Sequence, residues 1–97
     1  MFRHVTMFRW VSGTTEEQVE ALHQALRRLP EDIPELRGYR VGPNAGLTEG
    51  NWEFVVVAEF DDAVAWRAYL AHPAHRQVIV DHVRSMVAER ASVQYHC

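Results

Sequence analysis

Cysteine is nearly missing from this 97-residue chain. The single one, Cys97, stands at the very end, so no disulfide can form within the chain, and a cytoplasmic location is the default expectation. At a terminus its thiol is expected to be inert. No apolar run approaches the roughly 20 residues that a membrane-spanning helix requires, so no membrane partner is expected. Lys and Arg form no cluster, and the formal net charge is -3. Phosphate backbones bind concentrated basic surfaces, so nucleic acid is not expected as a partner. There is no Gly-rich phosphate loop, no G-x-S-x-G and no cysteine nucleophile with its partners. Repeats, low-complexity tracts and linkers are also missing, so residues 1–97 are expected to form one domain. The opening residues, Met1 to Thr6, read as a strand and lack the layout of a signal peptide.

What is present is an ordinary globular mixture, 47% hydrophobic and 24% charged. A domain of this size buries only about two-thirds of the surface its unfolded chain exposes. Covering one more face in a dimer would add to that.

Alternating β-branched and aromatic residues from Phe2 to Val11 predict a strand, broken at Ser12-Gly13. Thr14 or Thr15 then caps a helix with Glu16 and Glu17 in its first turn, where the helix dipole favours acids. Val19, Leu22, Leu26 and Leu29 form its apolar stripe, and Pro30 to Pro34 ends it. Gly38 to Val41 predicts a second strand, followed by a loop through Gly46 and Gly50. Trp52 to Phe60 is the strongest strand. Asp61 or Asp62 caps a short helix, Ala63 to Ala71. Pro73 restarts the helix, since proline suits a first turn but not an interior. That helix is expected to reach about Glu89, and Ser92 to Cys97 to form the last strand. The order β-α-β-β-α-β predicts an α+β, ferredoxin-like domain: a four-stranded antiparallel sheet with helices on one face.

In that topology the first and third strands are antiparallel neighbours. One register sets Arg3 opposite Glu59, Val5 opposite Val57, Met7 opposite Val55 and Arg9 opposite Glu53. The other face then pairs His4 with Ala58, Thr6 with Val56, Phe8 with Phe54 and Trp10 with Trp52. Such pairs stabilise a sheet by roughly 0.2–1 kcal/mol each. The larger aromatics Phe8, Phe54 and Phe60 belong under the helices. The face bearing Val5, Met7, Val55 and Val57 is left apolar and needs its own cover. A second copy would supply it by two-fold symmetry, so a homodimer through this sheet face is expected.

Six histidines are present. The densest group lies in Tyr69-Leu70-Ala71-His72-Pro73-Ala74-His75. His72 precedes proline, which pushes it out of helical geometry and bends the chain. Such a bend can aim Tyr69 and His75 into one space beneath the sheet. A tyrosine hydroxyl can polarise a carbonyl, and a histidine can accept a proton near neutral pH. Spacing alone leaves open whether His75 does this or simply hydrogen-bonds a helix end. A metal held by side chains is not expected. His72 and His75 are three residues apart across a proline, and no carboxylate or cysteine set accompanies them.

The sequence resembles the stress-responsive α/β-barrel, or Dabb, family. The resemblance rests on the opening strand Phe2 to Phe8 with its early His4, on Tyr69-x-x-His72-Pro73-x-His75, and on the strand Trp52 to Phe60 ahead of an acidic cap and helix. It spans essentially the whole chain. It implies a homodimeric α+β barrel with a small-molecule pocket in each protomer, between sheet and helices. Among olivetolic acid cyclase-type members it implies aldol-type ring closure of a polyketide-like substrate without a cofactor. The resemblance then gives His75 the role of base, Tyr69 that of holding the substrate oxygen, and His4 a place in the pocket. Phe8, Leu22, His23, Leu26, Phe54, His72 and Val78 would complete the lining. Two other readings remain: a stress-responsive or small-ligand-binding dimer without catalysis, and a cofactor-free oxygenase of the wider dimeric barrel group.

Overall fold

A computed structural model describes residues 1–97. The first strand, β1, runs Phe2–Trp10, and Gly13, with φ at 88°, turns the chain behind it. Helix α1 spans Glu16–Arg27. Of the two candidate caps, Thr15 is the one used: its hydroxyl accepts from the Gln18 backbone, and the Gln18 side chain accepts from the Thr15 backbone. This reciprocal pair satisfies two of the helix's open donors. Pro30 does not end the helical path. It sits in the first turn of a short helix α2, Leu29–Asp32, where its missing N–H costs nothing.

Strand β2 is Gly38–Pro43, two residues longer than expected, and β3 is Phe54–Phe60, starting two residues later. Gly38 lies opposite Glu59, and a Cβ there would meet the Glu59 Oε1 at 2.6 Å. Glycine at this point leaves the Glu59 carboxylate free to take the Arg3 guanidinium at 2.7 Å.

Asp62 caps helix α3, Ala63–Ala71, by accepting from the Ala65 backbone. Pro73 opens α4, Pro73–Val78. The helical path widens into a π turn over Ile79–Val83 and closes as α5, Arg84–Met86. The last strand, β4, is Val87–His96. The expected helix to Glu89 is therefore too long and the expected strand start at Ser92 too late. The apolar spacing of this stretch also suits a helix, but pairing with β1 captures Val87 to Arg90 instead. Val11 N–H donates to Met86 O at 2.7 Å, and Trp10 stands opposite Val87. Ala88 is the extra residue of a bulge, since Arg9 faces Glu89 and Trp10 faces Val87.

The four strands form one antiparallel sheet in the order β2-β3-β1-β4. The expected β1–β3 register holds from Phe2 opposite Phe60 to Phe8 opposite Phe54. Its outermost pairs, Arg9–Glu53 and Trp10–Trp52, lie beyond the ladder. There Arg9 stacks on the Trp52 ring at 4.3 Å and meets Glu89 at 3.7 Å, while the Glu53 carboxylate accepts from the Trp10 N–H.

The helices cover the face bearing Phe2, Phe8, Phe54, Val56, Ala58 and Phe60, all buried. The opposite face carries Val5 between Val57 and Val93, and Met7 between Val55 and Ala91. Val93 is 54% exposed in the single chain. Arg3, Glu59 and Tyr95 close one end of this apolar strip, and Arg9, Glu89 and Trp52 the other. No helix is long and apolar enough to cross a membrane.

Candidate functional site

A cavity of about 450 Å³ opens between the β1–β4 side of the sheet and the helices α3 and α4 with the π turn that follows. The bend at His72 builds its helical wall. His72 has extended geometry (φ -64°, ψ 134°) and its Nδ1 accepts from the Ala74 N–H at 3.1 Å. His72 is thus the cap of α4 and lies outside the cavity lining. The helix-end hydrogen bond that spacing alone could have given to His75 belongs to His72.

The bend sends Tyr69 and His75 to the same wall. Their ring centroids are 4.3 Å apart, and both side chains line the cavity. His4 faces them from β1, and its charged form would be disfavoured by His75. The three residues expected to carry chemistry therefore share one space. Phe8, Leu26 and Val78 also line it.

Leu22, His23 and Phe54 do not. Leu22 and Phe54 are fully buried in the solid core. His23 packs edge-on against Phe54 at 5.8 Å and lies 3.9 Å from the Glu20 carboxylate, half-buried and outside the cavity lining. One helical turn separates it from Leu26, and the face of α1 that reaches the cavity is the Leu26 end.

Sequence reasoning missed several wall residues. Thr6, Arg90, Ser92 and Gln94 form a polar wall on β1 and β4, and Trp66 joins from α3. Ser92 and Gln94 fall within the strand expected from the sequence, but Arg90 joins their alternation only when β4 starts before it. Tyr39 was also missed. Its hydroxyl lies 3.2 Å from that of Tyr69, beneath β2.

The electrostatics of the site follow from burial. Burial pushes the His75 pKa below its usual 6.5; the Leu70 backbone opposes this, and His72 adds to it. Burial likewise lowers His4, with smaller contributions from His75 and Arg90. Both imidazoles are then neutral at pH 7 and able to accept a proton. The Gln94 side-chain amide sits 2.8 Å from His4 Nδ1, which places the His4 proton on Nε2 when the amide is the donor. Burial pushes Tyr69 up to about 12, a change that the Tyr39 hydrogen bond partly offsets. Tyr69 is thus a neutral hydroxyl that can donate, and it does not serve as a base. Two buried polar atoms have no partner, His75 Nδ1 and Trp66 Nε1, and both side chains belong to the cavity. Buried polar atoms are seldom left unpaired unless something else meets them.

No group of three His, Cys, Asp or Glu side chains comes together anywhere in the chain.

The model of the stress responsive A/B barrel domain family matches residues 2–97. An uncharacterized protein of Streptomyces coelicolor is 31% identical over 78 residues, 78% of this chain and 80% of its own length. Among solved structures, a dimeric ferredoxin-like protein of unknown function from Thermobifida fusca is 42% identical. It superposes with a TM-score of 0.92 over 99% of this chain and 90% of that one. A dimeric ferredoxin-like protein of unknown function from Bacteroides fragilis, 24% identical, gives 0.86 over 99% and 95%. A hydroxynitrile lyase from Passiflora edulis, 13% identical, gives 0.82 over 97% and 90%.

Proposed function

This chain belongs to the stress responsive A/B barrel domain family, and on that premise we propose that it is a homodimeric small-molecule enzyme that moves a proton at a carbonyl compound without a cofactor. The observation that carries this reading is the shared cavity: a neutral His75, a neutral Tyr69 hydroxyl and His4 line one space large enough for a small molecule.

The chemistry is that of an aldol-type ring closure on a polyketide-like substrate. His75 takes a proton from a carbon between two carbonyls. The carbanion attacks a further, more distant carbonyl carbon of the same molecule, forming one C–C bond while that carbonyl's π bond opens to an alkoxide. The resulting alkoxide regains a proton from the His75 imidazolium, so no net proton is consumed. Tyr69, held in place by Tyr39, donates to the carbonyl oxygen as charge builds on it. General acid–base groups of this kind contribute typically 10²–10⁴-fold to a rate. The Passiflora edulis hydroxynitrile lyase places an enzyme on the same fold, and at 13% identity it speaks to fold alone.

Turnover of candidate poly-β-keto compounds tests the reading. His75→Ala and Tyr69→Phe should each lower kcat by roughly 10²-fold or more, with the dimer intact. Unchanged rates in both variants would leave the second reading, a binding protein that releases its ligand unaltered. One observation favours that alternative: the Tyr69 hydroxyl already has a protein partner in Tyr39. A thermal-shift screen separates the two, since a binder gains stability with ligand and returns it unchanged.

The dimer is proposed to form through the Val5, Met7, Val55 and Val57 face. Two relatives are described as dimeric, and an apolar strip of this kind seldom stays open to water. Val57→Arg should convert the protein to monomers in sedimentation velocity. A dimer that persists would move the interface elsewhere.

A further inference from the structure

The chain as a whole is acidic, at -3, yet the cavity wall holds no carboxylate. Of its 15 lining residues, Arg90 is the one that is permanently charged. Three other arginines of the sheet and its flanks are paired in place: Arg3 with Glu59 at 2.7 Å, Arg9 with Glu89 at 3.7 Å and Arg37 with Asp61 at 3.0 Å. Arg40 on β2 has no ion pair, but it lies outside this cavity. Arg90 forms no ion pair. Its neighbours along the wall are neutral and already engaged. Ser92 shares a hydrogen bond with Thr6 at 2.7 Å, and Gln94 with His4 at 2.8 Å. The guanidinium's donors are therefore the free polar capacity of that wall. Opposite stand Leu26, Val78, Ile79 and Val83, all apolar.

From this division we infer that the cavity takes an apolar monocarboxylate, with the carboxylate on Arg90 and the hydrocarbon against the α1 and π-turn wall. The inference rests on the small-molecule reading above and names the substrate class of that same site. A planar guanidinium matches a carboxylate with two parallel hydrogen bonds, and one cation matches one negative charge. With the acid anchored on β4, the remainder of the molecule extends toward Tyr69 and His75 on the helical wall. Arg90 is then the residue that sets orientation and specificity, and it takes no part in the proton transfer.

A matched pair of probes tests the inference: octanoate and octanamide, equal in length and differing in charge. Binding is followed by calorimetry and by fluorescence, for which Trp66 in the wall is a built-in reporter. The wild-type dimer should bind octanoate roughly tenfold or more tightly than octanamide. Arg90→Gln should abolish that preference and leave octanamide affinity unchanged, and Arg90→Lys should restore part of it. Arg90 is exposed at the cavity edge, so its replacement should leave the melting temperature near that of the wild type. Equal binding of the two probes by the wild type would overturn the carboxylate site. So would a parallel loss of both in Arg90→Gln, tighter binding of octyl phosphate than of octanoate, or no binding of either probe. None of these outcomes bears on His75, because the probes undergo no reaction; the acid–base reading stands or falls on turnover in His75→Ala.

Discussion

Beneath one sheet, two halves of the molecule are built differently. Under β3 the helix-facing positions are Phe54, Val56, Ala58 and Phe60, all buried; Phe54, Ala58 and Phe60 pack solid with Leu22 and Ile33, and Val56 reaches the edge of the cavity. Under β4 the equivalent positions are Arg90, Ser92 and Gln94, and the space they face is hollow. Strand β1 stands between, with Phe2 and Phe8 at its ends and His4 and Thr6 at its centre. Polarity thus rises across the sheet from one strand to the next, while every strand keeps the same alternation. A small domain can hold a site in the half that its core does not need. The solid half supplies the stability, and the other half is then free to carry polar groups whose partners are one another or a guest.

The largest expected effect tests the solid half. Phe60→Ala should cost about 3–5 kcal/mol, because a fully buried ring leaves a void its neighbours cannot fill. Val83→Ala borders space that is already empty, so it should cost only about 1–2 kcal/mol, close to the transfer term alone. Urea denaturation of the two variants measures both. Equal losses would mean that the cavity closes in solution and that the two halves do not differ.

How much of this was legible in the sequence follows from the range of the forces involved. The β1–β3 register was readable because a period-two pattern on both strands admits few pairings that keep one face buried. The bend at His72 was readable because Pro73 acts locally. The start of β4 was not. Val83, Met86 and Val87 continue a helical stripe, and the strand wins there through pairing with β1, more than seventy residues away in the chain. That error left Arg90 outside the strand, and with it the charged end of the polar wall that Ser92 and Gln94 continue. Leu22, His23 and Phe54 were expected at the pocket from the family resemblance, and the periodicity of helix and strand could not correct this, since it separates buried from exposed but not core from cavity wall. Tyr39 was hidden because its meeting with Tyr69 joins β2 to α3 through side chains alone.

A smaller effect is expected at the boundary between the halves, where the Tyr39 and Tyr69 hydroxyls meet at 3.2 Å. Tyr39→Phe strands a buried hydroxyl and should cost about 1–3 kcal/mol. Removing both hydroxyls should cost less than the sum of the two single losses, since the double variant strands neither. Catalysis should separate the pair: Tyr69→Phe should lower kcat far more than Tyr39→Phe, which acts only by positioning its partner. If the two variants were equally impaired in kcat, the hydroxyl that meets substrate would not be that of Tyr69.

The smallest effect is a slope, and it belongs to the hollow half. His4 and His75 have folded pKa values below the usual 6.5, chiefly through burial. In the unfolded chain both return to that value. As pH falls below it, the unfolded state takes up protons that the folded state refuses, and stability must fall with it. The contribution is complete above about pH 7 and is lost downward from 6.5 until the depressed folded values are reached. Urea midpoints at pH 5.5 and 7.5 should therefore differ, with the lower pH less stable. Combining His4→Gln with His75→Asn should flatten the difference. Phe60→Ala should lower both midpoints and keep the gap between them, because the solid half excludes water without excluding a proton. Were the gap to survive in the double histidine variant, the groups that resist protonation would have to lie outside the cavity. The neutral imidazoles on which the proposed base depends would then lose their support.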